Sequence, residues 1–318
     1  MYINLKRSLL IQFLIYIAFT NLSFAENVTE QCNFERKSPG SWYGDVNMIG
    51  PVDRKGFSIP PYSTWFVTEY NDYQANVNVI EDIKKNDLSD LNELEITVFM
   101  GTWCSDSKKQ IPRLYKILDQ VDFNEDRLSI HAVGIVPKEF RKTHNGIAEK
   151  GRNIYRVPTI IVTRNKQELG RIVESPNDTL EQDIRNILRG DYIQANNILE
   201  GEVNDYLEKK GLDGFEKSID LMAKEFTTKG IKEDELNHYI AYNLLYAKRY
   251  REAALVTKMM IMIFPEAGHL HMTLARIYEF LNNDYLALSS YQKAFHYVEE
   301  EGKMTIIRDA ISRSLEFK

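Results

Sequence analysis

From Ile96 to Met100 the chain reads Ile-Thr-Val-Phe-Met, a short β-rich apolar run that suits a central strand covered on both faces. After Gly101-Thr102-Trp103-Cys104 the period changes. Ile111, Leu114, Tyr115 and Leu118 fall at i, i+3, i+4 and i+7, one buried stripe of a helix, with Pro112 inside the stripe as a kink. Apolar strands are expected at 128–136, 159–162 and 169–173, and a short helix at 147–153. Arg164-Asn165-Lys166 reads as the turn joining the last two strands. Leu180, Ile184, Ile187 and Leu188 then mark an amphipathic helix that closes near Gly190. Upstream, Val77, Ile80 and Ile83 stand at helical spacing. Residues 26–61 carry clusters of Pro, Gly and Ser and read as an irregular leader, with Trp42 and Tyr43 able to pin it to a neighbouring domain.

Beyond Gly190 the strand pattern ends and helices joined by short turns take over. Ile240, Ala241, Leu244, Ala253 and Met260 recur as Leu274, Ala275, Tyr278, Ala287 and Ala294, each 34 residues on. The alanines let two helices approach closely. Ile219, Ala223 and Phe226 fall one step back in the same frame, and residues 303–317 are expected to cap the far end through Ile306, Ile307, Ala310 and Leu315. The expected organisation is an N-terminal targeting segment 1–25, the leader 26–61, an α/β domain 62–190, a linker 191–213 and an all-α repeat domain 214–318.

The first residues explain the targeting assignment. Lys6 and Arg7 precede an almost wholly apolar stretch, Leu9 to Phe19, and Ser23-Phe24-Ala25 supplies small residues for cleavage. The apolar run is too short for a comfortable membrane span. Cleavage is expected after Ala25, which leaves a chain without a membrane span, in the periplasm or secreted; the alternative is an uncleaved N-terminal anchor. Net charge is −6 with no Lys/Arg-rich block, which argues against nucleic acid as a partner. Asn27-Val28-Thr29 and Asn177-Asp178-Thr179 fit the glycosylation pattern.

An exported chain meets oxidising conditions, yet it has only two cysteines, Cys32 and Cys104, in very different contexts. Cys104 follows a buried strand and opens a helix. Free N–H groups and the partial positive charge at a helix N-terminus stabilise thiolate over thiol. Ser107, one turn along, can hydrogen-bond the sulfur, whereas the Asp106 carboxylate disfavours thiolate. Cys32 is either a resolving partner for Cys104 or an unrelated thiol. His269 and His271 lack the company a metal site requires, and no metal or other cofactor is expected. Glu181 and Asp183 read as surface charges on a helix, and Met259, Met260 and Met262 as repeat core.

Trp103-Cys104, Pro112 in the following helix, and Val157-Pro158-Thr159 before a hairpin together resemble the thioredoxin superfamily. The resemblance implies a thioredoxin-like α/β fold, a cis-proline loop facing Cys104, and substrate binding at Trp103, Val157 and Pro158. Two positions depart from the family: Ser107 stands where the second cysteine of Cys-x-x-Cys would be, and Val98 where a buried acid would be. The chain is thus expected to act as a monothiol through Cys104, with Ser107 tuning the sulfur. Its partners would be protein thiols or disulfides, or glutathione. The 34-residue recurrence, with Leu274-Ala275-x2-Tyr278 and Ala287-x3-Tyr291, resembles the tetratricopeptide repeat and implies a protein partner bound there. The competing expectation is a redox-inactive thioredoxin-fold scaffold that works through its helical repeats.

Overall fold

The computed structural model describes residues 34–35, 47–86, 93–135, 141, 143, 146–194, 198–230 and 239–297. The targeting segment, Cys32, Trp42, Tyr43 and residues 303–317 lie outside them. The chain divides into two compact units. One comprises residues up to 150 together with 156–196, and the other comprises 151–155 and residues from 197 onward.

The first unit is built on a five-stranded mixed sheet with strand order β3-β5-β4-β6-β7. Its strands are β3 (Gly50–Val52), β4 (Leu94–Met100), β5 (Leu128–Ala132), β6 (Thr159–Arg164) and β7 (Gln167–Val173). A separate two-residue ladder pairs β1 (Phe34–Glu35) with β2 (Asn47–Met48). Within the sheet, β4 and β5 run parallel, while the β3–β5, β4–β6 and β6–β7 pairs are antiparallel. The apolar run read at 96–100 lies in β4, the central strand. Register aligns Val98 with Ile130 on one side and Ile160 on the other, so one face carries a continuous apolar row. The opposite face brings His131, Phe99, Thr159 and Val173 into line, and the Phe99 and His131 rings stack at 5.3 Å.

The Val98 face packs against α1 (Arg54–Phe57), α2 (Tyr62–Asp72), α3 (Val77–Asn86), α4 (Ser105–Gln120) and α5 (Leu180–Arg189). The stripe residues Ile111, Leu114, Tyr115 and Leu118 are buried in this core, as are Leu180, Ile184, Ile187 and Leu188. Pro112 sits inside α4 and is buried. Gly190 takes a left-handed conformation (φ 73°) and ends α5, a position where a Cβ would be strained.

Three expectations are corrected here. The stretch 26–61 is not irregular throughout: Gly50–Val52 adds an edge strand, and Met48, Val52 and Phe57 enter the core. Phe57 stacks on Phe66 at 5.1 Å, so aromatic packing outweighs the local Pro and Gly content. The described residues over 146–153 form turns rather than a helix, with Gly146, Gly151 and Asn153 all at positive φ. Glu181 and Asp183 are not surface charges, since each is 1% exposed.

The second unit is helical: α6 (Ile198–Thr228), α7 (Tyr239–Tyr246), α8 (Tyr250–Ile263), α9 (Gly268–Phe280) and α10 (Asp284–Tyr297). α6 starts inside the expected linker, because Val203 and Leu207 have apolar partners and are buried. It breaks at Gly211 (φ 66°, ψ −176°), a conformation that glycine adopts without a steric penalty. The 34-residue recurrence holds at the level of backbone geometry. α8 and α10 begin at Tyr250 and Asp284, and each is preceded by a left-handed residue, Lys248 (φ 58°) or Asn282 (φ 54°). Arg249 N–H donates to Leu244 O at 2.8 Å, and Asn283 N–H to Tyr278 O at 2.9 Å. All ten recurring apolar positions are buried. Residues 151–155 belong to this unit through Asn153, whose amide donates to Gly201 O at 3.0 Å. The Tyr155 ring lies over Gly201, where a Cβ would meet its hydroxyl oxygen at 2.8 Å.

Candidate active site at Cys104

Strand β4 ends at Met100, and the chain turns sharply over Gly101-Thr102-Trp103 into α4. Cys104 N–H donates to Gly101 O at 2.9 Å, which closes the turn, and Cys104 O accepts Lys108 N–H at 3.0 Å as the first helical bond. Cys104 is therefore the N-cap residue, in extended conformation, with no side-chain cap bond of its own. Side chains brace the turn from several sides. Ser107 is fully buried, and its Oγ accepts the Gly101 N–H at 3.1 Å. Thr102 Oγ1 accepts the Met48 N–H at 3.1 Å, which ties the turn to the β2 end of the leader. The Trp103 indole N–H donates to Val133 O at 3.0 Å. Its ring lies directly over Gly101, where a Cβ would come within 2.5 Å of the indole.

The sulfur faces the segment before β6. The Cys104 thiol donates to Val157 O at 3.3 Å, and the Val157–Pro158 bond is cis. That segment is held in place by Glu174 N–H donating to Pro158 O at 2.7 Å and by Thr159 Oγ1 donating to Arg156 O at 2.7 Å. The structure therefore brings Cys104, Ser107 and the Val157 carbonyl together, with Pro158 next in line. It takes the polar end of Trp103 elsewhere, to Val133. The side chains of Val157 and Pro158 are buried, so what this segment presents to the sulfur is the Val157 carbonyl.

Electrostatics at the sulfur are contested. Burial pushes the Cys104 thiol up. The N–H and hydroxyl of Ser107 and the N–H of Asp106 pull it down, and the Asp106 carboxylate pushes it up again, leaving it above the ordinary thiol value. The helix N-terminus thus acts as the sequence suggests but is outweighed by burial. Asp106 is itself raised, first by burial and then by the charge of Glu174, against Lys109 and Arg156. Glu174 is ion-paired to Arg156 at 3.1 Å.

Gly101, Thr102, Val133, Arg156 and Glu174 all shape this site and escape sequence reasoning. For Gly101 a signal did exist, a glycine between a strand and Trp-Cys. The others join through long-range contacts that have no local pattern. Among the described residues Cys104 is the only free cysteine, and no group of His, Cys, Asp and Glu could hold a metal ion. No described helix is long and apolar enough to cross a membrane. Compared with known proteins, the chain matches no family model, no curated protein and no solved structure.

Proposed function

We propose that the first unit is a thioredoxin-like domain whose Cys104 acts as a nucleophilic monothiol on protein thiols and disulfides, and that the helical unit is a tetratricopeptide-like module that binds the protein partner. The observation that carries this reading is the position of Cys104 Sγ: at the start of a helix, directly after the central strand, and 3.3 Å from the carbonyl that precedes Pro158. Sequence order supports the fold assignment, with strand, Trp-Cys, Pro112 helix, Val-Pro-Thr and hairpin following in that sequence. The proposed cellular site, the periplasm or the outside of the cell, rests on the pattern of residues 1–25.

The reaction is an exchange. Cys104 loses its proton to solvent, and the thiolate attacks one sulfur of a partner disulfide. The partner S–S bond breaks, and its other sulfur leaves as a thiolate that takes up a proton. Ser107 cannot resolve the resulting mixed disulfide, so release needs a second thiol, supplied by glutathione or by the partner. Trp103 contributes by covering the turn, and the Val157–Pro158 backbone would line the path of the partner chain.

A second reading, a redox-silent scaffold working through its helices, draws on the burial that pushes the Cys104 thiol up. Intact mass decides between the two. Reduced Cys32→Ser protein is incubated with oxidised glutathione at neutral pH. A single glutathione adduct on the folded protein, lost in the further Cys104→Ser variant, is the expected result. An adduct that forms only after denaturation selects the scaffold.

A further inference from the structure

The chain leaves the sheet unit after Lys150, belongs to the helical unit over 151–155, and rejoins the sheet unit at Arg156, one residue before the carbonyl that meets the Cys104 sulfur. The first turns of α6 hold this stretch by specific ties. The Asn153 amide donates to Gly201 O at 3.0 Å, and the Asn204 amide donates to Asn153 Oδ1 at 2.8 Å, so both ends of the Asn153 side chain are bonded to α6. Asn153 takes a left-handed backbone (φ 54°), which asparagine accepts at less cost than most residues. Tyr155 is 5% exposed, and its ring covers Gly201 so closely that a Cβ there would meet the hydroxyl oxygen at 2.8 Å and two ring carbons at 2.9 Å. Only a glycine lets the ring and the helix approach this far. The same turn of α6 reaches the next helix, where the Asn243 amide of α7 donates to the buried Glu200 at 3.3 Å. A continuous run of hydrogen bonds and packed groups thus extends from α7 through α6 to Tyr155. Tyr155 and Val157 are two residues apart, a span of about 7 Å at most. The sheet unit holds the same stretch from its own side, through Thr159 Oγ1 on Arg156 O and Glu174 N–H on Pro158 O.

We infer that α6 positions the Cys104 site: its grip on Asn153 and Tyr155 sets where the Val157 carbonyl stands against the sulfur, which makes Asn153, Tyr155, Gly201 and Asn204 positioning residues for this thiol. The inference rests on the proposed role of Cys104 as a reacting thiol, and it gives the helical unit a second task beside partner binding. A change at the start of α6 reaches the sulfur along the chain itself, through 151–155. Its direction follows from the contact at the far end. The thiol donates to Val157 O, and a thiolate has no hydrogen to give, so the contact favours the protonated sulfur. Releasing Tyr155 lets the carbonyl withdraw, and the loosened protein then holds a thiol that ionises more readily.

The test uses the full chain carrying Cys32→Ser and follows alkylation of Cys104 by iodoacetamide across pH. Asn204→Ala removes one tie to Asn153, and Gly201→Ala adds a Cβ that must push the Tyr155 ring away. Ile277→Ala, in the buried core of α9, loosens the helical unit without removing either tie and serves as the control. Each of the first two variants is expected to move the pH midpoint down and to raise the rate at neutral pH by about threefold or more, the scale of one net hydrogen bond. The control is expected to keep the parent profile. Profiles of Asn204→Ala and Gly201→Ala that match the parent overturn the inference and leave the nucleophile standing, because the sheet unit alone would then fix Val157. An equal shift in Ile277→Ala also overturns it, since general loosening rather than the grip would be at work. Should Gly201→Ala fail to fold, Asn204→Ala, which adds no atoms, decides alone. A parent whose folded Cys104 resists alkylation at every pH overturns the nucleophile, and the positioning role with it.

Discussion

Asp106 sits in the first turn of the helix that Cys104 caps, and the two parts of this residue act on the sulfur in opposite directions. Its N–H favours the thiolate and its carboxylate opposes it. Asp106→Asn keeps the N–H and removes the charge, so the Cys104 thiol should ionise more readily. Alkylation of the Cys32→Ser protein by iodoacetamide at neutral pH is expected to run several-fold faster in this variant, with its pH midpoint moved down. An unchanged pH profile would mean that solvent screens the carboxylate from the sulfur. The opposition between Asp106 and the helix N-terminus can be read from the string Cys104-Ser105-Asp106-Ser107. Its outcome cannot, because the largest influence is burial, which depends on the tertiary surroundings of the sulfur, the distant Val157 carbonyl among them.

The elements around the site are joined by buried polar ties as well as by apolar faces. Glu181, in the first turn of α5, accepts the Asn76 N–H at 2.8 Å and also a short bond from the Tyr73 hydroxyl, so it clamps the α2–α3 connection to α5. Burial pushes the Glu181 carboxyl up, but these donors outweigh it and leave the group below the usual glutamate range. A carboxyl depressed in the folded state contributes stability that is fully present above the unfolded value, about 4.3, and is lost as pH falls through the lower folded value. Glu181→Gln is therefore expected to cost about 1–3 kcal/mol at neutral pH by urea unfolding. Relative to the variant, the parent should lose this advantage progressively below about pH 4. A variant as stable as the parent at neutral pH would show that the clamp contributes nothing. Sequence reasoning missed this role because charged residues on an amphipathic helix usually face water. Only the fold shows that Tyr73 and Asn76, more than a hundred residues away in the chain, come to meet this one.

At the scale of the molecule, a unit built on a mixed sheet and a unit of paired helices each bury their own core. The helical unit begins earlier than its repeat pattern suggests. Leu207, in the part of α6 before Gly211, is 5% exposed and packs in the same core as Phe215, Leu244 and Leu274. Leu207→Ala should destabilise this unit by about 2–4 kcal/mol through lost transfer energy and a residual cavity. Hydrogen exchange should register it as reduced protection of the slowest amides across 198–228 and 239–297. Protection unchanged outside 198–210 would mean that this first helix is an appendage rather than part of the core. The first half of α6 was hard to read because its match to the 34-residue frame is poor, and its break is a single glycine instead of a turn like those at Lys248 and Asn282.

Local period was enough to locate the central strand at 96–100, the stripe on the helix after Cys104, the closing helix at 180–188 and the spacing of the last two helix pairs, because each depends on side chains within a few turns of one another. It was also enough to single out Cys104 as the chemical candidate, since a cysteine between strand and helix has a helix N-terminus beside it whatever the rest of the chain does. Tertiary structure alone decided that the leader supplies an edge strand and Phe57 to the core and that Glu181 is buried; that the segment at Val157-Pro158 faces Cys104 was expected only through the resemblance, and the contact of the sulfur with the Val157 carbonyl comes from the structure. These depend on contacts between residues some fifty or more positions apart, and the energy of such contacts comes from burial and hydrogen bonding that no local stretch of sequence encodes.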